Sequence, residues 1–273
     1  VPRLLEKVYD KIITTGSELS PPLRALFFWA VGVAEKWEPY NKNGAWYGFK
    51  LKIAQKLILN KWNEALGGNL KAVASGAAPL QPRLARVFNA AGIPIMEGYG
   101  LTETSPVIAV NDMRDGGFRI GTVGKLLRNT DVKIADDGEI LVKGPQVMMG
   151  YYKDEELTNS VMTDGYFHTE DIGEIDKDGF LKITDRKKQI FKTSGGKYIA
   201  PQIVENSIKQ SRFIEHIMVM CEGEKMPTAL IQPNFEFIRD WAKLKDHKIG
   251  NSTQEIANNK IVFDRIAEDV AHY

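Results

Sequence analysis

Residues 93–103 run Ile-Pro-Ile-Met-Glu-Gly-Tyr-Gly-Leu-Thr-Glu. The apolar run 93–96 predicts a short buried strand. That strand empties into a turn in which Tyr99 stands between Gly98 and Gly100, followed by Thr102 and Glu103. Glycine lets a backbone approach a ligand closely. An aromatic ring stacks on any base, because every base has a π-face. A threonine hydroxyl donates to a phosphate oxygen, and a glutamate supplies the hard oxygen that Mg²⁺ prefers. One turn therefore has the chemistry to hold a base, a phosphate and a metal. The same residues also suit a plain polar turn at a strand end, so order and spacing elsewhere must decide.

Apolar residues Leu4, Leu5, Val8, Ile12 and Ile13 recur at helical spacing, and residues 4–66 read as helical. Ser20 before Pro21 and Pro22 predicts the start of a second helix, with serine as cap and proline in the first turn. A third amphipathic stretch, 50–66, stops at Gly67 and Gly68. The region is rich in aromatics: Phe27, Phe28, Trp29, Trp37, Trp46, Tyr47, Phe49 and Trp62. They are expected to pack between helices. Residues 69–110 alternate short strands with a helix near 81–91, an α/β pattern for which a parallel sheet is expected. Strand-like runs at 132–135, 139–142, 171–175 and 180–183 sit between Asp137-Gly138, Asp164-Gly165 and Asp178-Gly179. They predict a small antiparallel barrel or distorted sheet. Residues 189–273 read as α+β, with a helix near 201–210, strands near 214–220 and 228–232, and then helices.

Of the 273 residues, 43% are apolar, enough for the core of one large or two ordinary domains. A net charge of +1 argues against a nucleic-acid binder, which shows a basic excess. Cys221 is the sole cysteine, which leaves no disulfide framework and suits a reducing, cytoplasmic setting. The longest apolar run, 26–33, is too short to span a bilayer, and no secretory signal is visible. Val1 is not a start methionine, so the chain is expected to be an internal fragment.

Further segments flank the central turn in a fixed order. Ser75-Gly76-Ala77-Ala78-Pro79-Leu80 lies upstream. Downstream come Thr163-Asp164-Gly165-Tyr166-Phe167-His168-Thr169-Glu170-Asp171, then Asp185-Arg186-Lys187-Lys188-Gln189-Ile190-Phe191-Lys192, then Thr193-Ser194-Gly195-Gly196-Lys197. With these motifs the chain resembles the adenylate-forming (AMP-binding) enzymes, and among them the long-chain fatty-acid–CoA ligases, over nearly its whole length.

The resemblance implies an α/β fold. Residues 1–184 would be the C-terminal part of the large ATP- and acyl-binding domain, comprising the helical segment, the parallel sheet and the small barrel. Residues 185–188 would be a hinge, and residues 189–273 a partial α+β lid. It implies that a fatty acid and ATP form an acyl-adenylate and that CoA takes the acyl group. Transfer to a carrier protein, or nucleotide binding without catalysis, are the alternatives.

By the same resemblance, Gly76, Ala77 and Ala78 line the adenine and acyl pocket, and Gly98, Tyr99 and Gly100 receive adenine. Thr102 meets the α-phosphate, and Glu103 holds Mg²⁺. Asp171 accepts from both ribose hydroxyls, and Arg186 reaches ribose and phosphate. Lys188 is the hinge. Gly195 and Gly196 face the pantetheine channel, and Lys197 either meets CoA phosphates or is simply exposed. The family reads Thr-Gly-Asp where this chain reads Thr169-Glu170-Asp171, which puts the backbone at Glu170 in question. Glu170 is expected to be a solvated carboxylate, and His168 a packed or exposed side chain. The family's inserted helical region lies beside the acyl entrance, so peripheral contact with a membrane is a further expectation for residues 1–66. The family's hydroxyl-rich phosphate loop and its catalytic lysine have no match here, which implies that this fragment is inactive alone.

Overall fold

The computed structural model describes residues 2–114, 116–194, 198–220 and 226–273. The chain divides into two compact units, Val1–Ile183 and Thr184–Tyr273.

The first unit opens with α1 (Pro2–Ser17), α2 (Pro21–Ala34) and α3 (Gly44–Ala54), then a π-helical turn (Gln55–Leu59) and α4 (Asn60–Ala65). Leu5, Tyr9 and Ile13 recur every four residues along α1, and all are buried. They join Phe27, Ala30, Val31 and Ala34 of α2 and Leu59 and Trp62 in one core. α2 starts at Pro21 as its prolines predict, but the Ser20 side chain makes no capping hydrogen bond. α3 begins at Gly44, ahead of the predicted stretch, because Gly44 and Gly48 weaken the local helix signal. The Tyr47 hydroxyl secures this early turn by donating to the Val33 carbonyl at 2.8 Å. Phe27 and Trp62 are buried, and Trp37 and Tyr47 pack against the core, as expected. Phe28, Trp29, Trp46 and Phe49 are exposed instead.

Next come β1 (Val73–Ser75), α5 (Pro82–Ala90), β2 (Ile95–Tyr99), β3 (Ala109–Val110) and β4 (Lys125–Leu126). They form a sheet of order β1-β2-β3-β4. β1 and β2 are parallel, since α5 supplies the crossover that parallel strands need. β2/β3 and β3/β4 are antiparallel. The expected parallel sheet is thus confined to one pair, because no helix long enough for a crossover separates β2 from β3. Leu84, Ala85, Val87 and Phe88 of α5 are buried with the helical core.

β5 (Asp131–Ile134), β6 (Glu139–Lys143), α6 (Glu155–Ser160), β7 (Met162–Thr163), β8 (Tyr166–Ile175) and β9 (Leu181–Arg186) follow. The strands make a five-stranded sheet of order β5-β6-β8-β7, with β9 also on β8. The pairings β5/β6, β6/β8 and β7/β8 are antiparallel, as predicted. β8 starts well before its predicted 171. Asp164 and Gly165 both take positive φ, 53° and 80°, which makes a tight hairpin turn from β7 and pairs Thr163 with Tyr166. Ile108, Ala109, Ile140, Val142 and Leu181 form a second core, with Tyr99 packed against it.

The second unit holds β10 (Phe191–Lys192), β11 (Tyr198–Ile199), α7 (Pro201–Ile208), β12 (Ile214–Met220), β13 (Thr228–Pro233), α8 (Phe235–Lys245), α9 (Thr253–Ala257) and α10 (Lys260–His272). β12 and β13 pair antiparallel. Asn234 and Asn259 cap α8 and α10, and a Ser252–Glu255 capping box starts α9. Phe213, Ile238, Ala242, Ile249, Ile256 and Val262 form the core beneath these helices.

Ile95 is fully buried where β2 meets the helical core. Ile95→Ala leaves a cavity and is expected to cost about 3 kcal/mol. Urea unfolding followed by tryptophan fluorescence checks this; an unchanged midpoint would show that β2 does not anchor the unit.

Candidate functional site

Steric closure shapes the central turn. A Cβ on Gly100 would sit 1.7 Å from the Pro106 carbonyl oxygen, so only glycine fits there. Thr102–Thr104 then make a single 3₁₀ turn. Thr104 is buried, and its Oγ1 accepts the Leu101 N–H at 3.0 Å and lies within donating reach of the Leu101 and Pro106 carbonyls. This internal pin leaves Thr102 exposed, its hydroxyl without a hydrogen bond among the described residues. The Glu103 carbonyl accepts the Met148 N–H at 2.7 Å, and Glu103 Oε1 accepts the Tyr151 hydroxyl at 3.0 Å. Desolvation, and then the bond to Glu103, raise the Tyr151 phenol above its usual pKa. Among the described residues Oε2 of Glu103 takes no hydrogen bond. No group of three His, Cys, Asp or Glu among them could cage a metal. A divalent cation on Glu103 would therefore complete its shell with phosphate oxygens and water, the habit of Mg²⁺.

The Tyr99 hydroxyl donates to Asp171 Oδ2 at 2.6 Å. Two motifs far apart in sequence thus meet, one on β2 and one on β8. Asp171 is buried, and its N–H donates to Thr169 Oγ1, which in turn donates to the Ile140 carbonyl at 2.8 Å. Between them Glu170 takes the left-handed conformation, φ 58°. This is the place where the family reads glycine, and a side chain there costs about 1–2 kcal/mol. The buried Glu139 offsets that strain. Its Oε1 accepts the Glu170 N–H at 2.9 Å, and its Oε2 lies 3.2 Å from His168 Nδ1. His168 Nε2 lies 3.0 Å from Thr163 Oγ1, so this histidine is held structurally on both sides. The Glu170 side chain is exposed, as expected.

The Ser75–Ala78 segment leaves β1 beside β2, with Ser75 in register with Glu97. A Cβ on Gly76 would come 3.2 Å from the Gly98 carbonyl oxygen, so the two glycine segments approach backbone to backbone. Ala77 is left-handed at φ 64°. Ser75 Oγ is buried with no hydrogen-bond partner among the described residues. Glu97 is half-buried, and desolvation pushes its carboxyl up to about 8, against a hydrogen bond from the Leu80 backbone. Small side chains at 76–78, an orphaned hydroxyl and an exposed Thr102 suit a flat polar ligand here.

Arg186 and Lys188 belong to the second unit, where both are exposed. The Arg186 N–H donates to Asp185 Oδ1 at 2.6 Å. Asp185 is buried and also accepts the Gln202 N–H from the first turn of α7, while burial raises its carboxyl pKa. Lys187–Gln189 form a 3₁₀ turn. Gly195, Gly196 and Lys197 lie outside the described residues.

Thr104, Tyr151, Glu139 and Glu97 escaped the sequence reading. Glu97 had a local signal, a carboxylate closing an apolar strand directly before Gly98. Glu139 and Tyr151 act on residues far away in the chain, which spacing does not reveal.

Residues 27–152 match the family model for AMP-binding enzymes. A long-chain-fatty-acid–CoA ligase of Mycobacterium bovis, FadD15, is 38% identical over 98% of this chain. Long chain acyl-CoA synthetase 3 of Arabidopsis thaliana is 32% identical over 98%. The chain spans only 44% and 43% of these relatives' own lengths. Among solved structures, O-succinylbenzoate CoA synthetase of Bacillus subtilis, in complex with ATP and magnesium ion, matches with TM-score 0.55 and 26% identity, over 64% of this chain and 40% of that one. The anthranilate CoA ligase AuaEII, at 20% identity and TM-score 0.60, covers 80% of this chain and 42% of that one and supports the fold. The chain is thus similar to AMP-binding enzymes over residues 27–152. Over nearly its whole length it is homologous to long-chain fatty-acid–CoA ligases.

The Glu97 shift sets a pH signature. The unfolded carboxyl ionises near 4.5, whereas the folded one stays protonated to about 8. Unfolding between those values releases a proton, so this contribution is present below the ordinary carboxylate range and is lost as pH rises toward 8. Glu97→Gln lacks that slope. The melting temperature of the unmodified protein is expected to fall relative to Glu97→Gln between pH 5 and pH 8; parallel profiles would refute the burial argument.

Proposed function

We propose that this chain is part of an AMP-forming long-chain fatty-acid–CoA ligase, contributing the nucleoside side of the ATP site and the start of the lid. The bond from Tyr99 to Asp171 carries the reading, because it joins the proposed adenine-stacking ring to the proposed ribose carboxylate. In this reading the fatty-acid carboxylate attacks the α-phosphorus, pyrophosphate leaves, and the CoA thiol then displaces AMP from the acyl-adenylate. Tyr99 orients the base, with the small residues Gly76 to Ala78 and its flanking Gly98 and Gly100 letting the backbone come close. Asp171 accepts from the ribose diol. The exposed Thr102 hydroxyl donates to the α-phosphate. Mg²⁺ on Glu103 would neutralise phosphate charge that otherwise repels the incoming carboxylate.

Residues 1–184 act as the large-domain part, 185–188 as the hinge with Lys188, and 189–273 as the lid. Arg186 reaches ribose and phosphate, and Gly195 and Gly196 meet the pantetheine arm. No residue here is assigned to the β,γ-phosphate loop or to the catalytic lysine, so the chain alone is proposed to bind nucleotide without forming acyl-CoA. The long-chain acid and CoA as acceptor are proposed from the names of the relatives.

Calorimetric titration with AMP tests the reading. Asp171→Ala removes a charge-assisted acceptor and is expected to weaken AMP binding by about tenfold or more. An unchanged affinity would sink the ribose assignment. Turnover by a longer form of the protein with CoA, but not with a carrier protein, would separate the two acceptors.

A further inference from the structure

Glu103 offers its two carboxylate oxygens unequally. Oε1 accepts the Tyr151 hydroxyl at 3.0 Å, and Oε2 takes no hydrogen bond among the described residues. The partners lie 48 residues apart, Glu103 on the 3₁₀ turn Thr102–Thr104 and Tyr151 in the loop between β6 and α6.

That loop holds the phenol from behind. The Tyr151 N–H donates to Thr158 Oγ1 at 2.9 Å, and the Tyr151 carbonyl accepts the Asp154 N–H at 3.3 Å. Thr158 Oγ1 donates in turn to the Asp154 carbonyl at 2.7 Å, and Asp154 Oδ1 caps α6 by accepting the Leu157 N–H at 2.9 Å. A Cβ on Gly150 would come 2.8 Å from Thr158 Cγ2, so the chain passes flush against α6. Met149 and Tyr152 on either side are exposed, whereas Tyr151 is half-buried. Securing the loop to the turn does not require the hydroxyl, because the Met148 N–H already donates to the Glu103 carbonyl at 2.7 Å. The phenol adds a second contact, and that contact goes to one side-chain oxygen. Carboxylates that ligate metals are themselves hydrogen-bonded from outside, and such partners orient them.

We propose that Tyr151 is a positioning residue for a divalent cation: it occupies Oε1 of Glu103, presents Oε2 as a single-oxygen ligand, and so favours Mg²⁺ over Ca²⁺. This inference rests on the reading of Glu103 as the cation ligand. The selectivity follows from the two ions' habits. Mg²⁺ demands near-ideal octahedral geometry and keeps several waters, so one carboxylate oxygen suits it. Ca²⁺ takes more oxygens in a flexible shell, both oxygens of one carboxylate included. A phenol on Oε1 opposes that second mode.

Metal displacement tests the proposal. Mn²⁺, which shares the octahedral oxygen preference, is titrated onto the chain with AMP present and followed by paramagnetic resonance, then displaced by Mg²⁺ or Ca²⁺. Tyr151→Phe keeps the ring and removes only the hydroxyl. It is expected to weaken Mg²⁺ by roughly tenfold or more and Ca²⁺ distinctly less, so that the preference for Mg²⁺ narrows. Thr158→Val, which takes the acceptor from the Tyr151 N–H, is expected to narrow it in the same direction by a smaller factor. Far-UV circular dichroism would confirm that both variants stay folded. An unchanged ion preference in Tyr151→Phe would overturn the proposal, whether both ions bind as before or both weaken together, as a mere loss of structure would make them. Glu103→Gln separates the two readings. If it abolishes Mn²⁺ binding while Tyr151→Phe leaves the preference unchanged, only the role of Tyr151 is refuted. If Mn²⁺ binds Glu103→Gln as well as the unmodified chain, the Glu103 assignment fails and the proposal fails with it.

Discussion

The hydrogen bond from the Tyr99 hydroxyl to the buried Asp171 carboxylate is the contact on which the site depends. A buried carboxylate is costly unless hydrogen-bonded, and the phenol supplies a strong, charge-assisted partner. The bond joins β2 of the four-stranded sheet to β8 of the five-stranded one. The core of Ile108, Ile140, Val142 and Leu181 packs behind Tyr99 and keeps the two strands at that spacing. Without it, a glycine-flanked tyrosine and a strand aspartate are two ordinary residues. With it, they are direct neighbours that bring two sheets together.

Support for that contact extends outward by identifiable steps. Glu170 stands in a left-handed conformation immediately before Asp171. Glu139 holds the Glu170 amide, and Thr169 ties β8 to the Ile140 carbonyl of β6. A locally unfavourable residue survives at a candidate site because its surroundings over-determine it. On the other side, Gly100 admits no Cβ beneath Pro106, and Thr104 pins the 3₁₀ turn from within. Both devices leave Thr102 and Glu103 oriented by the fold rather than by each other.

Much of this was legible in the residues. Helical spacing located α1, Ser20 with its two prolines located α2, the alternating α/β pattern located α5, and the Asp-Gly turns located the antiparallel sheet. What escaped had physical reasons. Glycines masked the start of α3, and two positive-φ residues at Asp164 and Gly165 allowed β8 to begin far earlier than its apolar pattern suggested. The order of motifs anticipated Tyr99, Thr102, Glu103 and Asp171 as candidates, but not the bond between Tyr99 and Asp171. Long-range partners such as Glu139 and Tyr151 leave no trace in local spacing. The aromatic region behaved in two ways. Phe27 and Trp62 became core, and Trp46 and Phe49 stayed at the surface, a division that periodicity alone does not make across a helix with aromatics on every side.

The central claim is that Tyr99 and Asp171 act as one unit in holding a nucleotide. A double-mutant cycle for AMP affinity, with Tyr99→Phe, Asp171→Asn and both together, measures that directly. Residues that share a hydrogen bond and a ligand are expected to show a coupling of about 1 kcal/mol or more. Effects that add to within about 0.3–0.5 kcal/mol would contradict the account, because independent residues behave that way.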